Sequence, residues 1–388
     1  MNVSSKSPSH SVSRHRCASI AIVTAFAVLA YSAQVVSSER VIHSTQGDVI
    51  QKTAPAGRQQ TPSVNSGHPF ATTEQRTAVR PMKWYEADKN GPEKPPLAAK
   101  KGPQPNDDKS VGSAPTLSNH IARSSFPEAW KMIDAETARG HQSIGKATDV
   151  GTTVYPYSRY PGNLNTSLWL SSPWNKIGKL YFNVPGGGSS YCTANVSSGN
   201  SIIITAAHCV YSRGLGWNYN FVFVPADRFG AAPYGSYGWQ SATVLTDWID
   251  VGARRHDVAV IRLTGEASNG QPVVNYVGWL GRSWDWGYEQ YTASNGYASN
   301  LSTQYTHICE GWSSYEANEG ADVLTQGCDM TYGSSGGGWL IQYSPYSHAG
   351  NYVNSVVSGP HIGAFGTAYV GARFTSNNIV PLCNAIGC

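Results

Sequence analysis

Apolar positions are spread unevenly along this chain. From Tyr155 onward, short runs rich in β-branched and aromatic residues alternate with glycine- and asparagine-rich punctuation: Gly178 to Val184, Ser201 to Thr205, Asn220 to Val224, Ala242 to Leu245, Asp257 to Leu263, Trp339 to Tyr343 and Tyr352 to Val357. Runs of this length and composition predict strands. No sustained helical period follows except over the last turns near Asn378 to Asn384. The pattern therefore predicts an all-β domain of the barrel or sandwich kind, closed by a short C-terminal helix. No internal repeat is present.

The pattern upstream is different. Residues 34–153 are rich in Pro, Ser, Thr, Lys and Gln, and stretches such as Gly91 to Pro105 hold almost nothing that builds a core. Such composition predicts a largely disordered region. One exception is Ser125-Phe126-Pro127-Glu128, a capping-box signature followed by Ala129, Trp130 and Ile133 at helical spacing, which predicts a short helix near 126–139. That helix is either a linker or an element that docks on the domain after it. Further upstream, Arg14-His15-Arg16 precedes an apolar run from Cys17 to Tyr31 and small residues at Ser32 and Ala33. This predicts a secretory signal peptide over residues 1–33. A membrane span needs about 20 apolar residues, and this run is shorter unless Val35 and Val36 are counted past Ser32, Ala33 and Gln34, which would make it an uncleaved signal anchor; the expectation is no stable membrane insertion after signal cleavage.

Composition and charge narrow the function classes. The whole chain carries a formal charge of +4, but residues 154–388 hold ten Lys and Arg against twelve Asp and Glu, a net −2, and no lysine follows Lys179. A nucleic-acid interface needs a basic stripe on the folded domain, so that class is disfavoured and no nucleic-acid partner is expected. Cys17 lies inside the signal. The other six, Cys192, Cys209, Cys309, Cys328, Cys383 and Cys388, form an even set in an exported protein and imply disulfides. Zinc ligation is the alternative, but no C-x-x-C pair or paired cysteine and histidine spacing supports it.

Three stretches carry chemistry. Thr205-Ala206-Ala207-His208-Cys209 ends an apolar strand, which is where a positioned general base belongs, although a lone histidine there is usually structural. His256-Asp257-Val258-Ala259-Val260-Ile261 places a carboxylate at the mouth of a strongly apolar strand, suited either to a turn or to fixing an imidazole tautomer. Gly333-Ser334-Ser335-Gly336-Gly337-Gly338 offers a hydroxyl among glycines that let backbone N–H groups converge on one oxygen. A flexible loop is the other reading, and Trp339-Leu340-Ile341 directly after it argues for a fixed position.

Taken together, these stretches resemble the trypsin/chymotrypsin-like serine peptidase superfamily in local motif, in the order His, Asp, Ser, and in separations of 49 and 78 residues. Subtilisins and α/β-hydrolases use other chain orders. The resemblance covers roughly Tyr155 to the C-terminus and implies two six-stranded antiparallel β-barrels, with a peptidase domain over 154–388 and residues 34–153 as its pro-region. It implies His208, Asp257 and Ser335 as a catalytic triad and the N–H groups of Gly333 and Ser335 as the oxyanion hole. The implied activity is secreted serine endopeptidase, acting as a monomer on protein or peptide substrates, open to proteinaceous inhibitors, and requiring no metal or organic cofactor. Cys328-Asp329-Met330-Thr331 and Tyr155-Pro156-Tyr157-Ser158 look most like the secreted microbial and fungal glutamyl-endopeptidase-like branch. The same resemblance pairs Cys192 with Cys209; Cys309–Cys328 ties a strand to the base of the serine loop, and Cys383–Cys388 follows by elimination.

The resemblance leaves specificity open. Asp329, Ser358 and His361 are the candidate substrate-pocket residues. Asp329 sits six positions before Ser335, an offset that in trypsins selects Arg or Lys, whereas His361 corresponds in kind to the histidine of glutamyl endopeptidases; aromatic or mixed preference is the third possibility. The sequence departs from the trypsin pattern at Ser334, where trypsins carry Asp. The expectation is that the pro-region restrains the enzyme by occlusion, or assists folding, and not by withholding an N-terminal charge. Two other classes compete with a peptidase: an inactive protease-like binding protein, and a surface- or carbohydrate-binding module drawing on the 12 Trp and 22 Tyr.

Overall fold

A computed structural model describes residues 37–55, 68–84, 110–138, 148–161, 168–266 and 268–388. The signal expected over 1–33, the Gly91 to Pro105 stretch and the last residues of the helix expected to 139 lie outside these.

Segments upstream of the β-rich domain carry more structure than their composition predicts. Strand β1 (Glu39–Ile42) forms a hairpin with β2 (Val49–Thr53). Helix α1 (Thr73–Thr77) starts at a capping box in which Thr72 and Gln75 exchange hydrogen bonds, and β3 (Arg80–Pro81) follows. Ser118 caps α2 (Asn119–Ser125), and Pro127, whose missing N–H costs nothing in a first turn, opens α3 (Pro127–Ala138). β4 (Thr148–Gly151) and β5 (Pro156–Pro161) form a second hairpin. The segments around α1 and α3 are anchored by a few side chains that reach the later domain. Phe70 stacks on Tyr181 at 5.7 Å. The Arg76 guanidinium donates to the carbonyls of Gly230, Phe70 and Ala71, and Trp130 Nε1 donates to Pro233 O at 2.9 Å. A segment too polar to build its own core gains order by borrowing a neighbour's.

The first barrel comprises β6 (Ile177–Asn183), β7 (Ser189–Val196), β8 (Ile202–Thr205), β11 (Tyr219–Pro225), β12 (Tyr237–Leu245) and β13 (Ala259–Glu266), in the order β12-β11-β6-β7-β8-β13. Pairing of β12 with β13, for instance Val244 opposite Ala259, closes it. A small ribbon, β9 (Tyr211–Ser212) with β10 (Gly216–Trp217), and α4 (Thr246–Asp250) lie in its connections. Its interior is aliphatic and aromatic, with Leu180, Val196, Ile203, Phe223, Val244 and Ile261 fully buried. β11 meets β12 at Phe223 opposite Tyr237, and β2 pairs antiparallel along Ser241 to Leu245, lengthening this sheet with upstream chain.

Helix α5 (Val273–Val277) leads to the second barrel: β14 (Tyr291–Gly296), β15 (His307–Ser314), β16 (Val323–Gly327), β17 (Gly338–Ile341), β18 (Tyr352–Pro360) and β19 (Ala368–Arg373), in the order β14-β17-β18-β19-β16-β15. β14 pairs with β15 to close it, and β5 adds to β15 outside. This interior is mixed: Leu324, Trp339, Val357 and Tyr369 share it with buried Thr292, Ser294, Gln326 and Ser355. The terminal α6 (Ile379–Ile386) packs back on the first barrel's sheet. Among the described residues, no helix is long and apolar enough to cross a membrane.

Candidate active site

Strand β8 ends at Thr205, and the chain turns through a single 3-10 turn, Ala207–Cys209, that presents His208. Two attachments hold the turn. The Cys192–Cys209 disulfide ties it to β7, and the Asn218 side-chain amide donates to the carbonyls of His208 and Cys209 while its oxygen accepts from Ser212. Asp257 caps another 3-10 turn, Arg254–His256, immediately before β13. Its carboxylate is fully buried and accepts three hydrogen bonds: the His208 backbone N–H at 2.9 Å, His208 Nδ1 at 2.8 Å and Ser358 Oγ at 2.6 Å. A carboxylate at Nδ1 keeps the proton there and leaves the Nε2 lone pair free to act as a base.

Ser335 comes from the other barrel, on the loop that enters β17. The loop is clamped where only glycine fits. Gly333 has φ +88°, and a Cβ on it would lie 2.6 Å from Tyr297 O; a Cβ on Gly337 would lie 1.7 Å from Asn295 O. Asn195 holds the loop from β7 by donating to Gly336 O and accepting from the Gly338 N–H, and Thr193 Oγ1 donates to Gly333 O. Gly336 N–H donates to Val357 O, one residue before Ser358, so loop and Asp257 share an anchor on β18. The neighbouring Ser334 hydroxyl is consumed by Thr331 O at 2.6 Å. By contrast, Ser335 Oγ and His208 Nε2 are both buried and have no hydrogen-bond partner among the described residues.

Asn195, Thr193 and Asn218 were not singled out from the sequence. The first two alternate along β7 and so point to one face, which is a legible signal; nothing marks Asn218.

The candidate pocket residues have other partners. Asp329 Oδ1 lies 3.2 Å from Arg159 Nε; burial raises its pKa, and the Arg159 charge acts in the opposite direction. His361 Nε2 is 2.7 Å from Glu316 Oε2, 3.2 Å from Tyr155 Oη and 3.6 Å from Glu319 Oε1. Ser358 supports Asp257, as above.

Upstream chain covers the cleft. β3 runs parallel to β7, with Arg80 beside Ser190 and Pro81 beside Tyr191. Met82 N–H then donates to Tyr191 O at 2.9 Å, and Met82 O accepts from the Gly333 N–H at 3.2 Å. Trp84, 6% exposed, packs edge-on against Tyr332 and Phe365. Ser335 itself has 0% exposure.

Two closed six-stranded antiparallel barrels, with the histidine and aspartate on the first and the serine on the loop into the second, decide the architecture. The fold is the chymotrypsin-like one. No family model matches the chain. Among curated proteins, an "Extracellular metalloprotease" of Bacillus subtilis (strain 168) is 29% identical over 116 residues, which is 30% of this chain and 35% of that protein. Solved structures that are similar include the protease Anisep from Arthrobacter nicotinovorans, at 28% identity and TM-score 0.49 over 54% of this chain and 94% of that one. A thermostable serine protease AL20 from an extremophilic microorganism matches at 26% identity and TM-score 0.49, over 54% and 96%. A Glu endopeptidase solved with MPD matches at 21% identity and TM-score 0.46, over 58% and 95%.

The name of the curated relative raises a metal, and the groupings of three closely spaced donors among the described residues that include cysteine do not suit one. The groupings of metal-ligating side chains among the described residues are Cys192, His208 and Cys209, and Cys309, Cys328 and Asp329. Each spends both cysteines on a disulfide, leaving one donor, and that donor is already engaged by Asp257 or Arg159. The third disulfide joins Cys383 to Cys388.

Proposed function

We propose that this chymotrypsin-like protein is a secreted serine endopeptidase, synthesised with residues 34–153 as a pro-region that covers the cleft until it is cut. The observation that carries the reading is the buried Asp257 carboxylate gripping His208 at both backbone N–H and Nδ1, together with a His208 Nε2 and a Ser335 Oγ that are buried and each without a hydrogen-bond partner among the described residues. Burying two such groups without partners is costly, and sites that accept this are usually built for a reaction. The disulfides suit an oxidising compartment.

In the proposed cycle Ser335 Oγ attacks the peptide carbonyl carbon as His208 Nε2 takes its proton. Asp257 holds the imidazole in place and stabilises the imidazolium. The N–H groups of Gly333 and Ser335 donate to the developing oxyanion. Collapse of the tetrahedral intermediate expels the amine, which receives the proton from His208, and leaves an ester on Ser335. Water activated by the same histidine then releases the acid.

A serine-directed organophosphate, applied after limited proteolysis has removed the pro-region, tests this. Labelling at Ser335 is expected. Ser335→Ala is expected to abolish peptidase activity, leaving at most the contribution of the oxyanion hole and binding; Ser334→Ala, whose hydroxyl only braces the loop, is expected to retain most of it. An unlabelled, inactive mature protein would support a protease-like binding protein instead.

A further inference from the structure

Resting on the peptidase reading, we infer that the primary substrate pocket accepts an aromatic side chain, and that Trp84 of the same chain is its occupant before cleavage. The argument begins with the two charges proposed to select substrate. For a basic side chain the pocket needs a free acid, but Asp329 is paired with Arg159 at 3.2 Å. For an acidic side chain it needs a free cation, but His361 faces Glu316 at 2.7 Å and Glu319 at 3.6 Å, so an incoming carboxylate meets two of its own kind. Neither charge is on offer.

What the walls offer is apolar surface and ring edges. Trp84 lies between Tyr332 and Phe365, with ring centroids at 5.9 and 5.6 Å and interplanar angles of 77° and 72°. Edge-to-face packing on both sides is the arrangement aromatic quadrupoles favour. The cluster continues inward through Met330, the Cys309–Cys328 disulfide, Val357 and Tyr369, all buried. Met330 and Tyr332 lie on the segment that leads to Ser335, and Val357 adjoins Ser358. Trp84 therefore packs between the segment that enters the serine loop, at Tyr332, and the β18–β19 connection, at the 59% exposed Phe365.

The register of the upstream segment explains why it persists in the cleft. In a productive complex one residue supplies both the carbonyl in the oxyanion hole and the side chain in the pocket. Here Met82 supplies the carbonyl, at 3.2 Å from the Gly333 N–H, and Trp84, two residues later, supplies the side chain. The segment also pairs parallel to β7 in a sheet whose other ladders are antiparallel. No peptide bond of this segment is thus presented to Ser335 with its own side chain in the pocket. Trp84 Nε1 is buried without an acceptor among the described residues, so the site is not tuned to indole, and Phe, which lacks that donor, fits at least as well.

Two measurements test the inference. Mature enzyme is assayed on peptide series identical except for Phe, Trp, Glu or Arg before the scissile bond. Phe is expected to exceed both Glu and Arg in kcat/KM by at least about tenfold, within what a filled apolar pocket supplies. A preference for Glu or Arg on an enzyme that the organophosphate labels at Ser335 overturns the pocket assignment while leaving the peptidase reading intact; absence of labelling removes the peptidase reading itself. In the uncut full chain, Trp84→Ala is expected to accelerate organophosphate labelling of Ser335 and Trp84→Phe to keep it slow. Equal, slow labelling of wild type and Trp84→Ala overturns the role given to Trp84.

Discussion

Single residues in this protein do their work through what is withheld from them. Ser334 and Ser335 are neighbours of the same type, yet one hydroxyl donates to Thr331 O and the other has no hydrogen-bond partner among the described residues. Lys176 shows the same principle in a titrating group. Its Nζ hydrogen-bonds Ser172 Oγ at 3.1 Å and His348 Nδ1 at 3.2 Å, with no carboxylate partner among the described residues, and burial pulls its pKa down from 10.5 to about 7. An unfolded lysine keeps its proton to near pH 10.5, so between the two values the unfolded state binds the extra proton and stability rises with pH. The buried charge therefore costs most below pH 7. Lys176→Met is expected to be more stable than wild type at pH 6, with the advantage fading as pH approaches 10; thermal melts of both proteins across that range check it.

At the scale of elements, five of the six strands of the first barrel were legible, β7 being the exception, against two of six, β17 and β18, in the second. Strands β6, β8, β11 and β13 appear in the sequence as runs of Val, Ile, Leu and Phe, because their barrel has an aliphatic interior. β14, β15 and β16 do not, since the second barrel buries hydroxyls and amides. Gln326 alone reaches toward the carbonyls of Thr292, Cys309 and Gly311, and a strand that faces such an interior reads as polar loop. The proposed triad is suggested in the sequence by motif and chain order, with His208 and Asp257 beside the ends of β8 and β13 and Ser335 on the glycine-rich loop before β17; Asn218 braces His208 through geometry that one-dimensional spacing does not carry. Some polar groups also join elements. Lys179 on β6 and Asp227, just beyond β11, form a buried ion pair at 3.2 Å. Tyr181 Oη donates to Asp227 at 2.7 Å, and Lys179 Nζ lies 5.1 Å from the rings of Tyr191 and Tyr297. Removing one partner strands the other charge, so Asp227→Ala is expected to cost about 3–5 kcal/mol in denaturant unfolding, whereas replacing both with apolar residues is expected to cost far less.

Across the whole molecule, the upstream chain and the oxyanion loop bear on how activation works. Pairing of a new N-terminal ammonium with an acid beside the nucleophile is one way to assemble an oxyanion hole, and the residue before Ser335 here is Ser334, which offers no carboxylate. Ser334 is buried, its hydroxyl already donates to Thr331 O, and Gly296 packs so closely on it that an added Cβ would lie 2.6 Å from Ser334 Cβ. A buried ammonium without a carboxylate is strongly unfavourable. Meanwhile the loop is assembled without it: Gly333 holds its left-handed conformation and its N–H already meets Met82 O. Activation on this account is displacement of residues 80–84, with no charge delivered. Mature chains beginning at several positions from Thr152 to Ser158, refolded or co-expressed with the pro-region, are therefore expected to share one kcat within about twofold, since a charge-assisted bond made at only one start would separate them by far more. Turnover confined to a single start would show that the N-terminus itself builds the site. A change of cleavage preference with start site at constant kcat would instead place the N-terminus near the pocket, where β4, β5 and the Tyr155 contact to His361 already bring that part of the chain.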